Sequence, residues 1–175
     1  MNMVIEPGKT EDIDELERLY NELNDALAAG INYPGWRKGV YPVRENAQEG
    51  MRTGCLYVAR CEGRIAGTVI LSHEPEEGYH TAVWKTDAGY DKIIVIHTLA
   101  VHPDFTGRGI GKALMEFSVS YSGQIGMAAV RLDVYENNTP AIRLYESCGF
   151  EYTGTVDLGY GEYGLHWFKL YEKLL

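Results

Sequence analysis

A glycine-rich turn joins an apolar strand to an amphipathic helix in the middle of this sequence. The strand ends in His97-Thr-Leu-Ala-Val101, and the turn that follows contains Gly107, Gly109 and Gly111. Backbone N–H groups at a helix start, with no side chains in the way, form a site for an anion such as phosphate. The pattern therefore predicts an anion-binding turn, and the neighbouring residues have to indicate which anion it takes.

Two common phosphate-binding patterns fit this turn poorly. A P-loop requires glycine where Thr106 stands and serine or threonine where Ala113 stands. A dinucleotide fingerprint that starts at Gly107 would need its third glycine at Lys112, and it would belong to a first strand–helix–strand unit rather than to mid-chain. The P-loop is excluded, and an NAD-dependent oxidoreductase stays only as a weak alternative.

A second motif follows the turn, and it reads Asn138-Thr-Pro-Ala-Ile-Arg-Leu-Tyr145-Glu-Ser-Cys-Gly-Phe150. Together, the two motifs resemble those of the GNAT superfamily of acyl-CoA-dependent N-acyltransferases, over nearly the whole chain. The resemblance implies transfer of an acetyl group from acetyl-CoA to a primary amine of a small molecule or peptide, by direct attack in a ternary complex. A non-catalytic acyl-CoA sensor with the same fold is the alternative. Thr106 departs from the family pattern, which has arginine or glutamine there.

The predicted elements follow the order β-α-α-β-β-β-α-β-α-β-β, which implies a mixed α/β fold. The resemblance adds a central sheet of about seven strands with helices on both faces, in one N-acetyltransferase domain over residues 1–175. Asp12 is predicted to cap a helix that ends at Ala29, and Thr139 is predicted to cap a later one. The last strand is predicted over 163–171.

The resemblance also implies which residues hold acetyl-CoA. The main chain of the strand would bind the pantetheine, the turn would bind the pyrophosphate, and two residues of the second motif would lie beside the cofactor. These cofactor-binding residues are Leu99, Ala100, Val101, Thr106, Gly107, Arg108, Gly109, Ile110, Gly111, Lys112, Asn138 and Tyr145. The Leu99 N–H would polarise the thioester carbonyl. Asn138 has an alternative role in ordering the turn.

Two side chains are candidates for proton transfer. By resemblance, Tyr145 protonates the departing thiolate. His97 alternates with Leu99 and Val101 along the strand, so it is expected on their face, and an ordinary histidine pKa suits proton transfer near neutrality. His97 is therefore the first candidate for the base, and deprotonation through water and a tyrosine or glutamate remains open.

Aromatic residues outside both motifs are the candidates for binding the acceptor amine. A ring face attracts a cation, and nearby carboxylates add charge attraction. Ordinary packing or a homodimer contact is the alternative explanation for the same residues. The principal candidates are Tyr33, Trp36, Tyr79 and Trp84, and the same regions also hold Tyr41 and His80.

Composition limits the partners and the compartment. The net charge of −9 argues against nucleic-acid binding and suits a cationic substrate. No run approaches about 18 apolar residues, so no membrane span is expected. Cys55, Cys61 and Cys148 form no CxxC pair, which favours reduced thiols in a cytoplasmic protein over a disulfide or metal site.

Overall fold

Residues 2–175 are described by a computed structural model, in which seven strands and four helices alternate in the predicted order. The strands are β1 (Met3–Pro7), β2 (Leu56–Cys61), β3 (Arg64–Ser72), β4 (Ile93–Val101), β5 (Ala129–Tyr135), β6 (Glu151–Val156) and β7 (Phe168–Leu174). The helices are α1 (Ile13–Ala29), α2 (Arg44–Arg52), α3 (Ile110–Gln124) and α4 (Thr139–Ser147). Across residues 2–175, no helix combines the length and apolar character that a membrane crossing requires.

The strands form one mixed sheet in the order β1-β2-β3-β4-β5-β7-β6, which confirms the predicted fold class. β2 and β3 are an antiparallel hairpin, and its turn residues Glu62 and Gly63 both have positive φ, the conformation that two-residue hairpins favour. β4 and β5 pair in parallel over Ile93–Val95 and Ala129–Arg131. Residues 97–101 of β4 lie beyond this pairing.

Contacts divide the chain into two compact units, and β4 passes from one to the other after Ile96. The first unit comprises the chain up to Asn32, Trp36–Leu71 and His97–Phe117. Its core combines the apolar stripe of α1 with residues of α2, β2, β3 and β4. The buried members are Ile13, Leu16, Leu19, Tyr20, Ala47, Leu56, Val58, Ile65 and Ala100.

The start of α1 differs from the prediction, because Asp12 makes no side-chain cap. Asp12 instead accepts hydrogen bonds from the Lys9 N–H at 2.8 Å and from the Arg60 guanidinium at 2.7 Å. Glu15, in the first turn of α1, accepts from the Ile65 N–H at 2.7 Å. Burial alone would raise the Asp12 pKa, but the Arg60 guanidinium and the Lys9 N–H outweigh it and lower that pKa. Both carboxylates therefore join α1 to strands.

The second unit comprises Tyr33–Gly35, Ser72–Ile96 and Ser118–Leu175. Its core cluster contains Tyr79, Ile93, Val95, Ala129 and Leu170. The final strand begins at Phe168, so the predicted start at residue 163 is wrong. Gly164 has φ +79 and ends a short 3-10 turn at Tyr163, and this left-handed residue interrupts the extended chain.

A buried ion pair organises the long segment before β4. The Arg131 Nε donates to Glu172 at 2.8 Å, and the two side chains are 3% and 0% exposed. The Arg131 guanidinium also donates to the Thr86 carbonyl at 2.7 Å and lies 4.3 Å from the Trp84 ring centroid. Glu172 accepts from the Lys85 N–H at 2.6 Å. The pair therefore holds residues 84–86 against β5 and β7.

Replacing Glu172 by glutamine should strongly destabilise the protein. Glu172→Gln keeps the shape but leaves the buried Arg131 charge uncompensated, a change that costs about 3–5 kcal/mol when one member of such a pair is lost. The free energy of unfolding, measured in urea, is expected to fall by that amount. Arg52→Gln removes the exposed pair with Glu49 and serves as the control, with stability expected to stay unchanged. Equal stability of both variants would contradict this prediction.

Candidate functional site

The backbone of β4 leaves the extended conformation at Thr98. Its φ is +50°, which is sterically unfavourable for a β-branched residue. Thr98 and Ala100 are buried, whereas His97, Leu99 and Val101 are half-buried. Burial therefore still alternates along this part of the strand, although the backbone is irregular between His97 and Leu99.

The predicted anion-binding turn has the backbone shape that its glycines allow. Gly107 and Gly109 have φ of +78° and +79°, and a Cβ atom at either position would meet nothing within 4 Å. α3 begins at Ile110, and its first helical hydrogen bond runs from the Ala113 N–H to the Gly109 carbonyl at 3.0 Å. The N–H groups of residues 110–112 precede that ladder. Within residues 2–175, there is therefore open space beside both turn glycines.

Close packing places the start of α3 against β3. A Cβ atom on Gly67 would lie 2.8 Å from a side-chain carbon of Ile110 and 3.0 Å from the Ala100 carbonyl. The His102 N–H donates to the Ala66 carbonyl at 2.8 Å. The absence of a side chain at Gly67 thus lets the helix start approach the end of β4.

His102 holds the segment between β4 and the turn. Its Nδ1 accepts from the Asp104 N–H at 3.0 Å, so Nε2 carries the proton and donates to Glu22 of α1. Arg64 donates to Asp104 at 2.8 Å, and its guanidinium lies over the buried Phe105 ring. Nothing in the sequence spacing indicates Glu22 as the partner of His102, because the two residues are 80 positions apart.

The charged side chains of the turn are held weakly. Arg108 donates to Glu62 at 3.3 Å, and Lys112 lies 3.9 Å from Glu116. All four side chains are between 44% and 64% exposed, so these pairs contribute little to stability. Thr106 is also exposed. The Arg108 guanidinium also lies 5.0 Å from the Phe105 ring centroid, and a cation–π contact of an exposed side chain is weak. Both cations can therefore turn toward an anion at small cost.

The second motif forms α4 in the second unit. Asn138 is its N-cap and accepts from the Ala141 N–H at 3.4 Å, so the predicted cap at Thr139 is wrong. Thr139 is the first helical residue. The N-cap is the residue just before the helix, and its side chain accepts a hydrogen bond from the N–H of the third helical residue, here Ala141. Tyr145 is 8% exposed, and Gly149 ends the helix with φ +87°.

The predicted acceptor-binding aromatics fall in both units. Trp36 is half-buried in the first unit and packs edge-on to Tyr41, with ring centroids 5.5 Å apart. Tyr33 is half-buried in the second. Tyr79 is buried, and the Trp84 indole N–H donates to its carbonyl at 2.9 Å. Tyr79 and Trp84 thus pack in a core, and their contact with an acceptor stays a prediction.

A tyrosine–carboxylate pair in the second unit was not found from the sequence. The Tyr79 hydroxyl donates to Asp133 at 2.6 Å, and burial together with the Asp133 charge raises the pKa of Tyr79 well above its ordinary value. Burial, with Glu76 and Asp133, likewise raises the pKa of Tyr160 to about 12. Asp133 follows a buried β5 residue, but only the fold indicates which tyrosine it meets. No group of three metal-ligating side chains occurs among residues 2–175.

Comparison with known proteins identifies the family. The family model described as Acetyltransferase (GNAT) family matches residues 16–150, and the chain belongs to this family. It is similar to a mycothiol acetyltransferase of Propionibacterium freudenreichii subsp. shermanii, with 32% identity over 114 residues, or 65% of this chain and 33% of that relative. These matches confirm the resemblance drawn from the two motifs.

Solved structures show the same fold. A GNAT-family acetyltransferase of Streptococcus agalactiae has a TM-score of 0.80 at 21% identity, covering 99% of this chain and 95% of that one. A putative acetyltransferase of Salmonella typhimurium, solved with its cofactor acetyl-CoA, has a TM-score of 0.72 at 17% identity, covering 100% and 95%. The chain spans about a third of the length of the mycothiol acetyltransferase it matches.

Replacing Gly109 by alanine should destabilise the turn. An L-residue in the left-handed conformation costs about 1–2 kcal/mol, so the free energy of unfolding of Gly109→Ala should fall by that amount. Gly123→Ala is the matched control, because it lies in α3 without positive φ and with nothing within 4 Å. There, alanine should be neutral or stabilising by up to about 1 kcal/mol. An unchanged unfolding midpoint in urea for Gly109→Ala would show that the turn tolerates other conformations.

Proposed function

We propose that this enzyme transfers an acetyl group from acetyl-CoA to a primary amine of a small molecule or peptide, by direct attack in a ternary complex. The observation that carries the proposal is the succession of an irregular strand at Thr98, an open glycine turn and the start of α3. Family membership supports the reaction class, and acetyl-CoA is the cofactor of the Salmonella neighbour. A cytoplasmic location is part of the proposal, and the three free cysteines are consistent with it.

The residues of the turn fit a pyrophosphate group. Its two exposed glycines leave open space beside the main chain, and the first N–H groups of α3 have no intrahelical acceptor. Arg108 and Lys112 stand beside them with only weak partners. Because backbone donors do not depend on side-chain identity, threonine at position 106 leaves most of this site intact. The main chain of Leu99–Val101 would hold the pantetheine, and the resemblance implies that Asn138 and Tyr145 would also contact the cofactor.

Acetyl-CoA supplies an activated acyl group as a thioester. The Leu99 N–H would donate a hydrogen bond to the carbonyl oxygen on which charge develops, and this stabilisation is large when the donor is already in place. His97 would accept the proton of the attacking amine. Tyr145 would donate a proton to the departing sulfur. The roles of Leu99 and Tyr145 follow from the resemblance, and the role of His97 follows from its place beside Leu99 and Val101 in the strand pattern.

An amine panel with purified protein tests the reaction. With acetyl-CoA and representative polyamines, aralkylamines, amino sugars and lysine-containing or free N-terminal peptides, at least one amine should release thiol and gain an acetyl group by mass spectrometry. Omission of each amine in turn is the control. Absence of CoA and acetyl-CoA binding at millimolar concentration in isothermal titration would overturn the proposal. Tight binding without turnover on any amine would support the acyl-CoA sensor instead.

Removing the His97 imidazole should alter the pH dependence of the reaction. His97→Ala is expected to lower kcat/KM by about 10²-fold or more near neutral pH, the usual contribution of a general base. Activity should partly recover at alkaline pH, because an amine of pKa near 10 then loses its proton without assistance. His166→Ala, which removes an exposed histidine, is the control. A profile for His97→Ala that parallels the wild type would exclude this role.

A further inference from the structure

The unfavourable conformation of Thr98 needs a contact that holds it. A β-branched residue seldom adopts positive φ, and such residues persist only where their surroundings fix them. Thr98 is 9% exposed, and its hydroxyl is hydrogen-bonded to the hydroxyl of Tyr41, which is 57 positions earlier in the chain. The segment before α2 thus contacts β4 at its one left-handed residue.

Tyr41 is itself held by three further contacts. Its carbonyl accepts a hydrogen bond at 3.1 Å from the side-chain amide of Asn24, which lies in α1 and is 2% exposed. Its N–H donates to the Arg37 carbonyl at 3.0 Å, which closes the turn from Arg37 to Tyr41. The Trp36 ring packs edge-on against its ring. The Tyr41 hydroxyl is therefore presented to Thr98 by a fixed turn.

From these contacts we propose that Tyr41 is a positioning residue for catalysis. Its hydroxyl fixes the conformation of Thr98, and the peptide that follows carries the Leu99 N–H, so Tyr41 sets the direction of that donor. This inference rests on the proposed function, in which the Leu99 N–H polarises the thioester carbonyl. The Tyr41–Thr98 hydrogen bond also links the turn beside Trp36 to β4. A change in the conformation of that turn would therefore move the Leu99 N–H.

A set of variants separates positioning from packing. Tyr41→Phe keeps the ring against Trp36 and removes only the hydroxyl. Its kcat should fall about 10- to 100-fold, as expected for a slightly misplaced catalytic group, while the Kd for acetyl-CoA stays within about threefold. Thr98→Val removes the other hydroxyl and should have the same effect, and the double variant should lose no more than either alone, since both break one contact. Thr98→Ser keeps a hydroxyl and should retain activity.

Glycine at position 98 supplies the most specific test. Glycine adopts positive φ without strain, so Tyr41→Phe combined with Thr98→Gly should be more active than Tyr41→Phe combined with Thr98→Val. If the two hydroxyls instead transferred protons in the reaction, glycine at position 98 would not restore activity, because it has no hydroxyl. Tyr20→Phe is the matched control, because Tyr20 is fully buried nearby and its hydroxyl has no hydrogen-bond partner among residues 2–175. Its kcat should equal that of the wild type.

Hydrogen exchange distinguishes failure of this inference from failure of the proposed function. The Leu99 amide should exchange faster in Tyr41→Phe than in the wild type or in Tyr20→Phe, whether or not a substrate is known. An active wild type whose kcat survives Tyr41→Phe, or additive losses in the double variant, would overturn the positioning role. A wild type that acetylates no amine, yet shows the exchange difference, would overturn the proposed function and leave the contact itself standing.

Discussion

The conformation of one residue, Thr98, is the constraint on which the first unit depends. Before it, β4 pairs with β5 as an ordinary parallel strand over Ile93–Val95. After it, the chain runs through His102 into the glycine turn and α3. A regular strand would use its backbone groups for pairing, whereas an irregular one can present them to another partner. In the proposed function, the conformation of Thr98 would serve to present the Leu99 N–H to the thioester, which would account for its conformational cost.

In the second unit, polar contacts fix the position of the segment at residues 84–86. There, the Arg131–Glu172 pair is almost completely buried and fixes a segment that has little regular structure. Such a pair is costly to bury, and its geometry has to be satisfied on both sides. The guanidinium meets a carbonyl and the face of Trp84, and the carboxylate meets the Lys85 N–H. The pair is thus better understood as fixing one arrangement of the segment than as adding net stability.

The sequence predicts what is local and misses what is distant. Apolar periodicity predicts the strands and helices in order, and glycine spacing predicts the turn at residues 107–109, because these signals lie within a few neighbouring residues. The cap of α4 was assigned to Thr139 instead of Asn138, since neighbouring polar residues compete for that role. The contact of Tyr41 with Thr98 left no signal, because hydrogen bonding over that separation is decided only when the chain folds.

An acidic protein that binds an anionic cofactor needs its donors at contact distance. Salt screens the attraction or repulsion between exposed charges beyond about 8–10 Å. The net charge of −9 therefore acts mainly on a charged molecule that has already come within that distance of the surface. At the turn, backbone N–H groups keep their polarity whatever the surface charge, and Arg108 and Lys112 have partners weak enough to exchange. The net charge and the hydrogen-bond donors at contact distance therefore favour different molecules. In the proposed function, short-range donors would select the pyrophosphate and the negative net charge would favour a protonated amine, so neither proposed substrate requires a basic surface.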